Sequence, residues 1–149
     1  MARAAIIGSV PRSWTADLPD WAARLLEEIP VAHLGLLDEG GEPRVQPVTF
    51  ARVESTIVSA IDDKPKRGTP ARVARLRAHP RAALTVDRYD ADWTRLAWVQ
   101  LLGDVTIEPV DRQALAALQA RYPHYRDHPP PGPLLRLRPA RVLSWRASD

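Results

Sequence analysis

The chain contains no cysteine, one methionine and one phenylalanine in 149 residues. Without cysteine there can be no disulfide framework, no thiolate or iron–sulfur metal site and no cysteine nucleophile. Long apolar runs are missing as well. None approaches the roughly 20 residues that span a bilayer, and segment 1–7 is too short in apolar residues to act as a signal peptide. A cytoplasmic protein without a membrane partner is therefore expected. The Gly-x-Gly-x-x-Gly, Walker, Gly-x-Ser-x-Gly and His-Glu-x-x-His patterns are absent too, which removes the common dinucleotide, nucleotide, hydrolase and metalloprotease classes. Lysine is nearly missing: there are two, Lys64 and Lys66, against 19 arginines.

What is present suits one compact domain spanning 1–149, since 45% of residues are hydrophobic and 26% charged. The net charge of +3 conceals an uneven distribution. Between Lys64 and Val86 there is no acidic residue, yet seven of the 21 basic residues lie there: Lys64, Lys66, Arg67, Arg72, Arg75, Arg77 and Arg81. The remainder carries 14 basic against 18 acidic residues, so the positive character belongs to one segment. Duplex binding wants cations spread along a face, and single-strand binding wants aromatics interleaved with them; neither holds here, so nucleic acid is not the expected partner. Arg72, Arg75 and Arg77 are equally readable as the solvated face of a short helix.

Leu18, Trp21, Ala22, Leu25, Leu26 and Ile29 recur at helical spacing, which predicts a helix over 17–29, begun by Asp17 and stopped by Pro30. Segments 31–37 and 44–53, separated by Asp-Glu-Gly-Gly-Glu at 38–42, read as two strands and a turn, with a third strand at 55–61. Thr69 and Pro70 read as a cap and first residue of a helix over 70–78. Two longer strands follow at 81–89 and 95–108; the second alternates Ala97, Val99, Leu101, Gly103 and Val105 against Trp98, Gln100, Leu102 and Asp104. Gly103 marks a bulge or a close backbone approach. A helix at 111–122, a proline-rich loop at 129–133 and a last strand at 134–145, interrupted by Pro139, complete the chain. Six strands and about three helices with short links predict a mainly β (α+β) fold, an antiparallel sheet curled into a small barrel.

Catalytic constellations are scarce. His124 and His128 have the spacing of a helical metal pair, but prolines flank them and no third ligand is evident, so no metal site is assigned. His33 reads as a structural residue within a strand, His79 as a helix cap, and no serine has an activating context. The turn Asp62-Asp63-Lys64-Pro65-Lys66-Arg67-Gly68-Thr69 is more informative. A strand there hands over to a helix start with three cations in four positions, and backbone N–H groups with two ammonium groups suit a phosphate.

That run, with His79-Pro80-Arg81, Val86-Asp87-Arg88-Tyr89-Asp90-Ala91-Asp92-Trp93 and Trp98-Val99 before Gly103, resembles the pyridoxamine 5′-phosphate oxidase-like split β-barrel proteins. More narrowly, it resembles their deazaflavin-dependent oxidoreductase branch, which uses coenzyme F420. The resemblance runs from the first helix to Trp145. It implies a six-stranded split barrel (FMN-binding split barrel type), a homodimer, and a cofactor in each of two grooves at the subunit interface. Gln46, Pro47, Val48 and Thr49 would then line the cofactor's ring and ribityl portion, and Ser59, Ala60 and Ile61 would edge it. Lys64, Lys66 and Arg67 would hold its phosphate. Trp93, Trp98 and Gln100 of the partner copy would border the groove, Trp98 being equally readable as a dimer-core residue. No catalytic acid or base is assigned. Ala97 stands where relatives often carry a large aromatic, and Gln46-Pro47-Val48-Thr49 does not reproduce the basic pattern of true pyridoxamine phosphate oxidases. The implied activity is hydride transfer between a deazaflavin and a small organic acceptor. FMN or haem in the same fold, and a non-catalytic cofactor-binding module, are the alternatives.

Overall fold

The computed structural model describes residues 5–7, 14–62 and 68–147. Its centre is a pair of long antiparallel strands, β7 (Ala97–Glu108) and β8 (Leu134–Arg146). Alternation in β7 sends Ala97, Val99, Leu101 and Val105 into the core, as the period-2 pattern requires. Around this pair lie β1 (Ala5–Ile7), β2 (Ala32–Leu37), β3 (Pro43–Val48), β4 (Ala51–Val53), β5 (Thr56–Ala60) and β6 (Arg81–Arg88). Every pairing is antiparallel. Seven strands follow one hydrogen-bonded path, β3-β2-β6-β7-β8-β5-β4, and β1 pairs with β8 beside it.

The expected antiparallel, mainly β class holds, but the strand count does not: the described residues form eight strands rather than six. One added strand is the short β1. The other arises because segment 44–53 is not continuous. β3 pairs with β2 and β4 pairs with β5, so the chain leaves one edge of the sheet at Thr49 and joins the other at Ala51. The two ends of the path are therefore joined by chain and not by a ladder, and the sheet stays open there. Pro43 and Pro47, which lack an N–H, sit on this edge strand, where no further partner is needed.

Tyr122 explains how the break is tolerated. Its hydroxyl accepts from the Phe50 N–H at 3.0 Å and faces the Phe50 and Pro30 carbonyls at 2.8 Å, satisfying backbone groups that a ladder would otherwise serve. Phe50 itself is fully buried, with the Arg121 guanidinium over its ring at 4.5 Å.

Among the described residues the helices number five rather than about three, with one 3-10 turn. The helix predicted over 17–29 forms as α2 (Asp20–Glu28), beginning three residues later because Pro19 disfavours helical backbone at Leu18 and stands just before the helix, while a separate one-turn helix, α1 (Trp14–Asp17), precedes it. Ala22, Leu25 and Leu26 of α2 are buried, and the helix packs on β6 and β7. Arg121 closes its C-terminus by donating to the Leu26 and Ile29 carbonyls at 2.7 and 2.8 Å. Helix α3 (Ala71–Ala78) begins one residue later than expected, with Pro70 at the cap and no side-chain cap bond from Thr69. Its Val73 and Leu76 enter the main core. Helix α4 (Arg112–Arg121) starts at Asp111, whose carboxylate accepts from the Ala114 N–H at 2.8 Å. The one-turn α5 (His124–Asp127) follows. Ala114, Leu118 and Tyr125 join Ala51, Val53, Val58, Ala60 and Leu134 in a second, smaller cluster. No helix among the described residues is long and apolar enough to cross a membrane.

Candidate functional site

The gap between β3 and β4 borders a cavity of about 240 Å³. Pro47, Val48 and Thr49 line it from the end of β3, Ser59 and Ala60 from the end of β5, and Val31, Asp62, Arg72 and Tyr125 complete it. Residues of both clusters meet there, Val48 from the main core and Ala60 and Tyr125 from the second. The sheet topology accounts for the convergence: β3 and β5 approach only because the open path brings its two ends together.

Local structure places each polar group. Thr49 stands where the ladder stops, and its hydroxyl is 2.7 Å from that of Tyr125. Tyr125 is buried, delivered by α5 and packed edge-on against Tyr122 at 5.6 Å. Ser59 is one of only two buried polar residues among those described. Arg72 sits in the first turn of α3, with its neighbour Val73 turned into the core. Three hydroxyls, one guanidinium and one carboxylate thus share a small cavity with apolar walls. That composition suits a polyhydroxylated or anionic moiety.

Of the predicted site residues, Pro47, Val48, Thr49, Ser59 and Ala60 come together here. Gln46 is half-buried on β3 opposite Leu34. Ile61 lies in the main core, and its backbone exchanges hydrogen bonds with Pro133 and Gly132 at 3.0 and 3.1 Å. Lys64, Lys66 and Arg67 lie outside the described residues; in sequence they follow Asp62, at the cavity, by two to five positions. Trp98 and Gln100 stand on the outer face of β7, Trp98 across from Asp87 and Trp145, and Gln100 donating to the Thr85 hydroxyl at 3.2 Å. Trp93 is 76% exposed. The turn that carries it is closed by the Asp92 carboxylate, which accepts from the Thr94 N–H at 3.0 Å and the Thr94 hydroxyl at 2.6 Å, bonds that keep the Asp92 carboxyl below the usual carboxylate range.

Tyr125, Arg72, Asp62 and Val31 were not read as site residues from the sequence. Tyr125 meets Thr49 across 76 positions, so no local spacing announces it. Arg72 carried a signal, being part of the cationic window, and the structure places it on the cavity wall.

Comparison with solved structures places this fold among known ones. A FAD-binding protein from Mesorhizobium loti superposes with a TM-score of 0.67 at 19% identity, over 88% of this chain and 96% of that one. A haem-binding protein from Mycobacterium smegmatis gives 0.65 at 21% identity, over 86% of this chain and 55% of that one. A haem storage protein from Vibrio cholerae gives 0.62 at 15%, over 78% and 85%. No curated protein sequence matches the chain. Residues 18–146 match the family model described as pyridoxamine 5′-phosphate oxidase. That span contains the long central strand pair, the open edge and the cavity beside it, and the chain belongs to the pyridoxamine 5′-phosphate oxidase family.

Proposed function

We propose that this chain is a coenzyme F420-dependent oxidoreductase that works as a homodimer and transfers a hydride between the deazaflavin and a small organic acceptor. The observation carrying this reading is the cavity at the open edge, where five residues expected to line a cofactor converge with Tyr125 and Arg72. The resemblance of the segments around Lys64–Arg67 and Asp87–Trp93 supplies the deazaflavin branch. When bound, the coenzyme supplies the hydride chemistry, and the protein supplies orientation and shielding. Thr49, Ser59 and Tyr125 would hold its polyol, Arg72 with Lys64, Lys66 and Arg67 its phosphate, and Pro47 and Val48 would exclude water beside it.

Size favours a dimer. A cavity of about 240 Å³ in one chain falls below the roughly 300–1,000 Å³ typical of sites for whole small molecules, so one copy offers part of a groove. The chain also exposes large apolar side chains: Val45 at 68% and Leu37 at 45% beside an apolar trough of about 600 Å³ between β2, β3 and β6, together with Tyr89 and Trp93. A second copy covering this face would bring Trp98, Gln100 and the Trp93 turn to its partner's groove.

Titrating the purified protein with F420, FMN and haem, with oligomeric state measured on the same sample, tests both halves. Tightest binding of F420 by a dimer is expected. Preferential binding of FMN or haem would replace the coenzyme assignment, and a monomer binding at full strength would remove the shared groove. Lys64→Ala with Lys66→Ala should weaken F420 affinity at least about tenfold, because charge-assisted hydrogen bonds to phosphate are lost, while the melting temperature of the ligand-free protein should stay nearly unchanged. Unaltered affinity in that variant would remove the phosphate role.

A further inference from the structure

A second concave site lies elsewhere on the molecule, between α2 and the neighbouring ends of β6, β7 and β8. It is a cleft of about 370 Å³ lined by four arginines, Arg24, Arg88, Arg95 and Arg146, and a single carboxylate, Glu28. Trp21, Leu25, Leu96 and Ala97 form its apolar surfaces. None of these residues was singled out as part of any site in the sequence, and none lines the cavity at the open edge.

Of the four arginines, Arg24 and Arg95 are the ones weakly matched among the described residues. Arg88 donates to Glu28 at 3.0 Å, which accounts for one pair. Arg95 reaches Asp90 at 3.6 Å, both side chains being largely in solvent, where such a contact contributes little. Arg146 lays its guanidinium over the Trp21 ring at 5.4 Å and is engaged by a further interaction besides. Arg24 has no hydrogen bond or ion pair among the described residues. Arg24, and Arg95 with its weak contact to Asp90, bring to one concave surface positive charge that an entering anion would neutralise. Arginine is also the side chain whose planar fork matches the two oxygens of a carboxylate or phosphate.

We propose that the cleft formed by Arg24, Arg88, Arg95 and Arg146 against Trp21 binds a small anion bearing at least two negative charges, through carboxylate or phosphate oxygens. A small ligand fits better than a macromolecule, because the cleft is concave and acidic residues at Glu28, Asp90 and Asp92 border the arginines, interrupting any extended basic surface. The Trp21–Arg146 stack and the Arg88–Glu28 pair hold two of the four guanidinium groups in place before the ligand arrives, while Arg24, and Arg95 on giving up its weak contact with Asp90, can turn toward it.

The test is made in the Lys64→Ala, Lys66→Ala background, so that the basic segment near the other cavity does not compete. Inorganic pyrophosphate and citrate are titrated separately, up to about 10 mM, by calorimetry, with the Trp21 indole N–H followed by NMR and assigned with Trp21→Phe. Saturable one-to-one binding that moves the Trp21 signal is expected. It should weaken at least about tenfold on adding Arg24→Gln and Arg95→Gln, each removing a charge-assisted contact. The tighter of the two probes identifies phosphate or carboxylate as the preferred chemistry. Both substitutions are at exposed positions, and an unchanged circular dichroism spectrum and melting temperature establish that the fold is retained; Arg24→Gln alone gives the same reading if the pair lowers stability. Absence of saturable binding by either probe, binding that leaves the Trp21 signal in place, or affinity indifferent to Arg24→Gln and Arg95→Gln would overturn the proposal.

Discussion

Gly103→Ala is expected to lower the unfolding free energy by about 3 kcal/mol, the upper part of the range for overpacking a filled interior. A Cβ at position 103 would stand 2.0 Å from the Arg138 carbonyl oxygen, 2.8 Å from its carbon and 3.0 Å from the Ala140 nitrogen. All three are backbone atoms, so no side chain can rotate away. The crowding has a visible cause: Leu102 faces Arg141 while Gly103 faces Pro139, which leaves Ala140 as an extra residue and bulges β8 toward β7. Pro139, having no N–H, takes its place where the ladder is already disturbed. Gly35→Ala makes a control, because its Cβ would meet nothing nearer than 3.7 Å, and its effect should stay within about 0.5 kcal/mol. Denaturant unfolding of both variants measures the contrast; equal stability for the two would contradict the close approach.

Arg136→Met should cost about 2–4 kcal/mol at pH 7, and less in acid. Arg136 ties four elements together: its Nε donates to Glu108 at the end of β7, its Nη2 to Asp111 at 2.5 Å and its Nη1 to the Thr56 hydroxyl at 2.9 Å. The Arg136 side chain is only 11% exposed, against 28% for Glu108 and 45% for Asp111. Removing it strands partly buried carboxylates, a penalty short of the 3–5 kcal/mol found for fully buried pairs, because solvent still screens Asp111. Burial works against the Glu108 charge, but hydrogen bonding and attraction from Arg136, with smaller help from Thr106 and Arg138, outweigh it and hold its carboxyl below the ordinary glutamate value. A pKa lowered by folding adds stability above the unfolded value of about 4.3, and that stability is lost as pH falls through the folded value. The difference between wild type and Arg136→Met should therefore shrink between pH 7 and pH 3. A penalty of equal size at both pH values would show that the ion pair is not its source.

Elements set by local chemistry were legible in the sequence. Alternation in β7 announced which residues face inward, the apolar spacing at Leu18–Ile29 announced the first helical segment, and Gly103 was marked as a place of close approach. The second strand was not legible as two, because nothing between Val48 and Ala51 forbids extended backbone; the break follows from the change of partner and from Tyr122, 72 positions away, serving Phe50. The candidate site divides in the same way. Pro47–Thr49 and Ser59–Ala60 were found from their resemblance to cofactor-lining segments, whereas Tyr125 and Arg72 came into view only with the fold.

The sequence alone determined the antiparallel class, the absence of thiol chemistry, and the concentration of positive charge in one window of an otherwise acidic chain. Those properties follow from composition and short-range periodicity, which survive any arrangement of the elements. The tertiary structure alone decided that the sheet opens between β3 and β4, that three hydroxyls and Arg72 share the cavity there, and that four arginines scattered between positions 24 and 146 converge on a second cleft. Each of these depends on contacts between residues distant in sequence, and no local propensity encodes such a contact until packing closes the loop between them.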